Sequence, residues 1–232
     1  MANIIKRAAF KLMEKTLAEP ANVVAIRTWN PGSMYEIDLS LPTVDMGNWK
    51  TIPRLKCKVD EFEYRDYTPA WWEAEKGICT LFVETGHNGA GSRWAQRVQP
   101  GDQLLVGPAH AAPLPSKPGK VLGLVDGSAL GHMLGLKQLT DPGEHPLEVG
   151  VFLHEDYQLP NALSLDNPEF EFIPKPECSS LDSLENWTRT KDLSEYSSIY
   201  IAGYIPMVRE LRKKLKSRAA HNTTFYAHGF WR

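Results

Sequence analysis

The stretch Arg65-Asp66-Tyr67-Thr68 sets a guanidinium, a phenol and a hydroxyl within four residues, and Gly89-Ala90-Gly91-Ser92-Arg93-Trp94 follows about twenty residues later. In an extended strand alternate side chains share a face, so Arg65 and Tyr67 point the same way. A tyrosine ring offers a flat surface to a large π-system, and its hydroxyl can reach a polar oxygen on the same ligand. Arg65 has the planar fork that suits a pyrophosphate oxygen; a cross-strand ion pair with a glutamate is its structural alternative. Thr68 adds a hydroxyl and a backbone N–H, although a threonine in a strand means nothing by itself. The glycines of the second stretch let a backbone approach phosphates closely, and Ser92 reads as the N-cap of a short helix. Such a helix start directs free N–H groups at an anion. A polar turn that merely caps a helix is the alternative.

Two further clusters carry charge. Lys50, Arg54, Lys56 and Lys58 precede the Arg65 strand, and Lys50 and Arg54 are the candidates for a rim that attracts an anionic ligand. Lys56 and Lys58 share a strand face, where lysines also discourage edge-to-edge pairing. Arg209, Arg212, Lys213, Lys214 and Lys216 form a second run, read as the exposed face of an amphipathic helix or as a site. The formal net charge of −2 over 232 residues gives no global basic field for nonspecific nucleic-acid binding. The histidines are isolated, without the spacing of a metal site, and Cys57, Cys79 and Cys178 lack any Cys-x-x-Cys pair, which suits a reducing, cytoplasmic setting. The first twenty residues are broken by charges and predict neither a secretory leader nor a membrane span. No Walker loop or Gly-x-Ser-x-Gly motif is present.

The elements that must hold these residues change texture along the chain. Ile5, Ala9, Met13 and Leu17 make one stripe of an opening helix that ends at Glu19-Pro20. Residues 23–29 and 34–41 read as a hairpin around Asn30-Pro31-Gly32, residues 55–68 and 77–85 as a second pair around the polar connector 73–77, and residues 102–107 as a further strand. Short strands at this spacing predict a small antiparallel β-barrel or sandwich. The proline-rich segment 107–120 reads as a linker. Beyond it come a strand at 120–127, a helix at 128–139, a strand at 147–155, a strand at 197–203, a helix at 206–218 and a closing strand at 223–231. That alternation predicts a small parallel α/β domain. The expected domains are residues 1–112 and 113–232.

In this order and spacing the segments resemble the siderophore-interacting proteins, a family of FAD-containing ferric-siderophore reductases on the ferredoxin-reductase fold. Arg65, Tyr67 and Thr68 match its Arg-x-Tyr-Thr-x-Arg flavin strand. Gly89, Ser92, Arg93, Trp94, Ala95, Gly101 and Asp102 match its glycine-rich turn, Arg-Trp-Ala and Gly-Asp pair. Residues 124–130 look like its Gly-Asp-Glu-Thr-Ala-Leu segment, and residues 199–215 with 226–232 look like its Gly-Glu segment, basic helix and Gly-Tyr-Trp-Arg close. The resemblance implies a β-barrel FAD domain followed by a ferredoxin-reductase-like α/β domain. It implies FAD contacts from Arg65, Tyr67, Thr68, Thr85, His87, Gly89, Ala90, Gly91, Ser92 and Trp94, with Trp231 or Phe230 shielding the flavin face. Asp126, Ser128, Ala129 and Gly203 would face the electron donor, NADH, NADPH or reduced ferredoxin, and Lys50 and Arg54 a ferric siderophore.

No protein acid or base is implied, because the flavin carries the electron chemistry and the iron arrives with the substrate. The chain departs from the pattern at Ala70, where the family has its second arginine, at Thr85, which stands for a histidine, and at Ala90-Gly91. Gly127 and Tyr204 stand where the family has glutamates. Two other readings of the residues remain beside ferric-siderophore reduction: a general NAD(P)H-dependent flavin or ferric reductase, and a redox-inert flavin- or siderophore-binding module.

Overall fold

The computed structural model describes residues 19–173 and 179–232. The expected opening helix and Cys178 lie outside the described residues. The chain divides into two compact units. One takes the residues up to Thr28 and Met34–Ala112, the other Trp29–Ser33 and Pro113–Arg232.

In the first unit the strands are β1 (Glu19–Trp29), β2 (Met34–Ser40), β3 (Leu55–Asp60), β4 (Glu63–Tyr67), β5 (Pro69–Glu73) and β6 (Ile78–Glu84), followed by helix α1 (Ala90–Arg97) and strand β7 (Gln103–Pro108). They form one sheet in the order β4-β3-β7-β1-β2-β6-β5. The two strands at its opposite ends, β4 and β5, are separated in sequence by Thr68 alone. One residue cannot bridge a flat sheet of this width at about 3.3 Å per residue, so the sheet has to curl into a half-barrel. Along β3 the period of two is clean: Leu55, Cys57 and Val59 are buried, with Lys56 and Lys58 between them facing outward. The core collects Ile37, Leu39, Leu81, Val83, Val106 and Trp94.

The register differs from the sequence expectation at one place. Residues 55–67 are not a single strand beside β6 but the hairpin β3/β4, with Leu55 opposite Tyr67 and Cys57 opposite Arg65. Strand β6 lies between β2 and β5. The turn around Glu61 and Phe62 carries no glycine or proline, the signals by which a hairpin is read from sequence.

The second unit contains β8 (Lys120–Asp126), α2 (Leu130–Leu139), β9 (Leu147–Phe152), α3 (Asn161–Leu165), β10 (Phe170–Ile173), α4 (Ser180–Thr188), β11 (Tyr196–Tyr204), α5 (Ile205–Lys216) and β12 (Thr224–Trp231). All its strand pairs are parallel, in the order β10-β9-β8-β11-β12. The central strand β8 is buried from Val121 to Asp126, as a strand covered on both faces should be. Strand β10 and helices α3 and α4 were not expected from the sequence, which passed from β9 to β11. The sheet reverses its winding between β8 and β11. In open parallel sheets that switch point, at the carboxyl ends of the strands, is where ligands bind. Among the described residues no helix is long and apolar enough to cross a membrane.

Candidate functional site

In the first unit the predicted residues gather where β4 meets the start of α1. A Cβ built on Gly91 would lie 2.4 Å from the Tyr67 hydroxyl oxygen and 3.5 Å from Arg65 Cγ, so glycine is what allows the phenol and the arginine stem to cross the first turn of the helix. Behind them the Tyr67 ring is tilted against buried Trp94, with centroids 5.7 Å apart. Burial raises the phenol pKa, with Cys57 adding to it and Arg65 opposing, so Tyr67 stays a neutral hydroxyl at physiological pH. The Arg65 guanidinium is half-exposed. Its Nη1 donates to the Tyr64 carbonyl at 2.7 Å and its Nη2 pairs with Glu63 at 3.4 Å, on the same strand rather than across the sheet.

The helix begins differently from the sequence expectation. Its N-cap is Gly89, which offers no side-chain oxygen, and Ser92 stands in the first turn instead. Arg93 N–H closes the first helical bond to the Gly89 carbonyl at 3.0 Å. The N–H groups of Ala90, Gly91 and Ser92 are therefore beyond the reach of intrahelical acceptors. Ser92 is 3% exposed, yet its hydroxyl has no hydrogen-bond partner among the described residues. A buried hydroxyl without an acceptor or donor costs free energy, roughly 1–3 kcal/mol, unless something else satisfies it. His87 lies against Gly89, whose Cβ position is 3.4 Å from the imidazole. Thr68 and Thr85 are both buried, the first between the two edge strands and the second just past β6. Ala70 is wholly buried in β5 opposite Thr80, so the position of the family's second arginine is a packing position in this chain.

Lys50 and Arg54 line one cavity of about 270 Å³ together with Trp49, Pro53 and Val106. Lys50 Nζ donates to the Gly47 carbonyl at 3.4 Å. Burial lowers the Arg54 pKa while Asp66 raises it, and the group remains a cation at any ordinary pH. Trp49 was not among the residues expected here. Trp72 packs edge-on behind it with centroids 5.0 Å apart, and Trp71, at φ 49° in the irregular β5–β6 pairing, packs edge-on against Phe82. The paired tryptophans of the Arg65 stretch thus support the sheet, and Trp72 braces the cavity wall. Lys56 is taken up by a 2.7 Å ion pair with Asp66 across the hairpin.

In the second unit the expected donor-side residues meet at the switch point. Asp126 is fully buried and accepts three hydrogen bonds: from Ser128 N–H at 3.1 Å, from the Ser128 hydroxyl, and from Tyr204 N–H at 2.7 Å. Burial raises its pKa, and Ser128, Tyr204 and the charge of His154 oppose that rise. Gly203 has φ +127°, and a Cβ there would come within 2.4–2.5 Å of three Asp126 side-chain atoms. Trp231 Nε1–H donates to Ser128 Oγ at 3.1 Å, and its ring lies on Tyr204 at 4.5 Å with His154 edge-on at 5.9 Å. Ala129 is buried in the turn between β8 and α2, and Phe230 packs edge-on to His132. Tyr204 and His154 belong to this cluster as much as the expected residues. Tyr204 stood out in the sequence only as a departure from the family's glutamate, and His154 only by its place near the carboxyl end of the strand expected at 147–155.

Comparison with known proteins bears on both units. Residues 33–112 match the family model of the siderophore-interacting FAD-binding domain. The matched residues take in every strand of the half-barrel except β1. Over the whole chain the fold is similar to that of a siderophore utilization protein from T. fusca, at 19% identity and TM-score 0.72, covering 93% of this chain and 92% of that one. A siderophore-interacting protein from Aeromonas hydrophila gives 15% identity and TM-score 0.71, with 93% and 92% covered. Phthalate dioxygenase reductase gives 12% identity and TM-score 0.69, covering 91% of this chain and 68% of that one. The fold is ferredoxin-reductase-like. No curated protein matches the sequence.

Proposed function

We propose that the chain is a flavin-dependent reductase that holds FAD on the first unit and reduces chelated ferric iron, as in a siderophore, to the ferrous state. The reading rests on the start of α1: a helix terminus without a side-chain cap, a glycine under Tyr67 and Arg65, and a buried Ser92 hydroxyl with no partner of its own. Those groups have the chemistry of a pyrophosphate cradle. Arg65 would supply the charge, and the N–H groups of Ala90 to Ser92 the directed donors. Tyr67, braced by Trp94, would present a ring face to the isoalloxazine, and Thr68 a hydroxyl beside it. When bound, FAD supplies the electron chemistry. Lys50 and Arg54 would attract an anionic chelate to the cavity beside Trp49.

The absorption spectrum of the purified protein in the flavin bands tests this directly. A protein that is colourless and takes up no FAD on incubation refutes it. Stopped-flow bleaching with NADH, NADPH and reduced ferredoxin identifies the donor. Turnover across ferric chelates of different charge separates a siderophore reductase from a general ferric reductase.

A second reading, a flavin or siderophore carrier without turnover, is favoured by the second unit. There Asp126 is committed to three internal hydrogen bonds and Tyr204 is covered by Trp231. Bound flavin that no donor bleaches would select it.

A further inference from the structure

Strand β12 ends the sheet of the second unit, with β11 on one side and, among the described residues, no further strand on the other. From Thr224 to Gly229 it pairs with Ser198 to Gly203 in unbroken register, and a bulge comes only past Gly229. An end strand presents backbone donors and acceptors along its outer edge, and proteins blunt such edges with lysine, proline or a short length. Residues 224–231 read Thr-Phe-Tyr-Ala-His-Gly-Phe-Trp, eight residues with neither lysine nor proline. Strand β10, at the opposite end of the sheet, has only four residues. One face of β12 is filled: Tyr226 stacks on Tyr200 at 4.4 Å, and the His228 ring lies 5.1 Å from that of buried His132.

The other face looks onto α5, where a cleft of about 500 Å³ is lined by Ile205, Val208, Arg209 and Arg212 of the helix and by Ala227 and Gly229 of the strand. Among the described residues none of β11 lines it, so the cleft runs along the outer side of the helix–strand contact. Arg209 and Arg212 are exposed at its rim, one helical turn apart, and among the described residues neither is in an ion pair, whereas Lys214 on the same helix bonds Glu185 at 2.5 Å. Complementing the helix dipole accounts for the lysines of the last turn but not for these two arginines. We infer that this edge is a docking site for an extended acidic segment of another protein, which joins the sheet as a strand beside β12. Backbone hydrogen bonds along the edge supply affinity in such strand addition, and pockets for alternate side chains supply specificity. Every second side chain of the added strand points to the α5 face. On that face acidic side chains meet Arg209 and Arg212, and an apolar one between them fills the cleft above Ala227. A second copy of this chain is the poorer occupant. Antiparallel two-fold pairing of β12 with its twin sets both α5 helices on one face and turns each Arg209 and Arg212 toward its counterpart, like charge against like. The inference does not depend on the flavin reading.

The test uses the full chain and a fluorescein-labelled peptide, Thr-Glu-Thr-Leu-Thr-Glu-Thr, with Thr-Lys-Thr-Leu-Thr-Lys-Thr as its control. Fluorescence anisotropy follows binding up to about 1 mM peptide. The acidic peptide should bind at least about tenfold tighter than the basic one at low ionic strength, and Arg209→Glu/Arg212→Glu should reverse that order. The preference should shrink in about 1 M salt, where screening acts over roughly 3 Å. Ala227→Leu, which fills the cleft, should weaken binding at both salt concentrations. Hydrogen–deuterium exchange should show new protection over residues 224–231 when the acidic peptide is added, whereas a purely electrostatic contact with α5 leaves those amides unchanged. No binding, equal binding of the two peptides, or binding without that protection overturns the inference. So does a dimer in sedimentation that protects residues 224–231 and that the acidic peptide does not disperse, which would make the edge an interface between copies. Capture by phosphatidylglycerol vesicles of a chain that ignores the peptide overturns it as well.

Discussion

Substituting Gly91 by alanine separates the proposed binding role of the α1 start from its structural role. The added methyl would lie 2.4 Å from the Tyr67 hydroxyl oxygen, roughly 1 Å short of the ordinary contact that begins at 3.4 Å. The atom it meets is the tip of a side chain rather than backbone, so Tyr67 can swing aside at modest cost. Alanine in a helix gains up to about 1 kcal/mol over glycine, and the two effects oppose each other. Stability of the apo-protein should therefore stay within about 1 kcal/mol of wild type. Cofactor binding has no such compensation, because the phenol and the free N–H groups of the first turn would no longer face the same ligand. Losing one hydrogen bond to a charged group costs about 1.5–3 kcal/mol, a roughly ten- to hundredfold weaker FAD complex. Quenching of flavin fluorescence on titration of apo-protein reads the affinity, and urea unfolding reads the stability. Unchanged FAD affinity at unchanged stability would refute the placement of the cofactor at this helix start.

Ser92→Ala should show the reverse asymmetry, since removing a buried hydroxyl that lacks a partner leaves the apo-protein as stable or up to about 1 kcal/mol more stable, while FAD affinity falls in the same titration. Gly203→Ala should destabilise the second unit by about 3–5 kcal/mol in urea unfolding, from a strained positive φ and from displacement of the Asp126 carboxylate that accepts Tyr204 N–H. Asp38→Asn should lose about 1–2 kcal/mol at neutral pH, because Arg27 grips both carboxylate oxygens at 2.6 and 2.8 Å and Thr80 donates at 2.8 Å, discounted because Arg27 is about half exposed. Burial pushes the Asp38 pKa up, but Arg27 and Thr80 outweigh it and hold it below 3.8. A depressed carboxyl stabilises above its unfolded pKa and loses that contribution as pH falls through the folded value. The gap between wild type and Asp38→Asn should accordingly persist to about pH 4 and close below it in thermal melts followed by circular dichroism.

The sequence shows most plainly those elements whose own residues set the pattern. Strand β3 alternates Leu55-Lys56-Cys57-Lys58-Val59, and α5 repeats Met207, Leu211 and Leu215; each period is visible without any partner. Strand β10 and helix α4 are short, and their apolar residues mean little until the sheet that they cover is known. The β3/β4 hairpin was missed because its turn lacks glycine and proline. Its register nonetheless shapes the candidate site, since pairing Cys57 with Arg65 and Leu55 with Tyr67 delivers both candidate residues to the sheet edge beside α1.

The same contrast runs through the candidate site. Arg65 and Tyr67 were legible as a pair because the strand period alone sets them on one face. The steric role of Gly91 was not, because the glycines of the motif read as letting a backbone approach phosphates, whereas this one also leaves room for the tyrosine that crosses it, 24 residues earlier in the chain. Ser92 read as a cap because serine before a helical run usually is one. One turn further in, the same residue cannot cap, and its hydroxyl is left buried without a partner. The cap lies three residues earlier, at Gly89, whose lack of a side chain is what leaves the first turn uncapped.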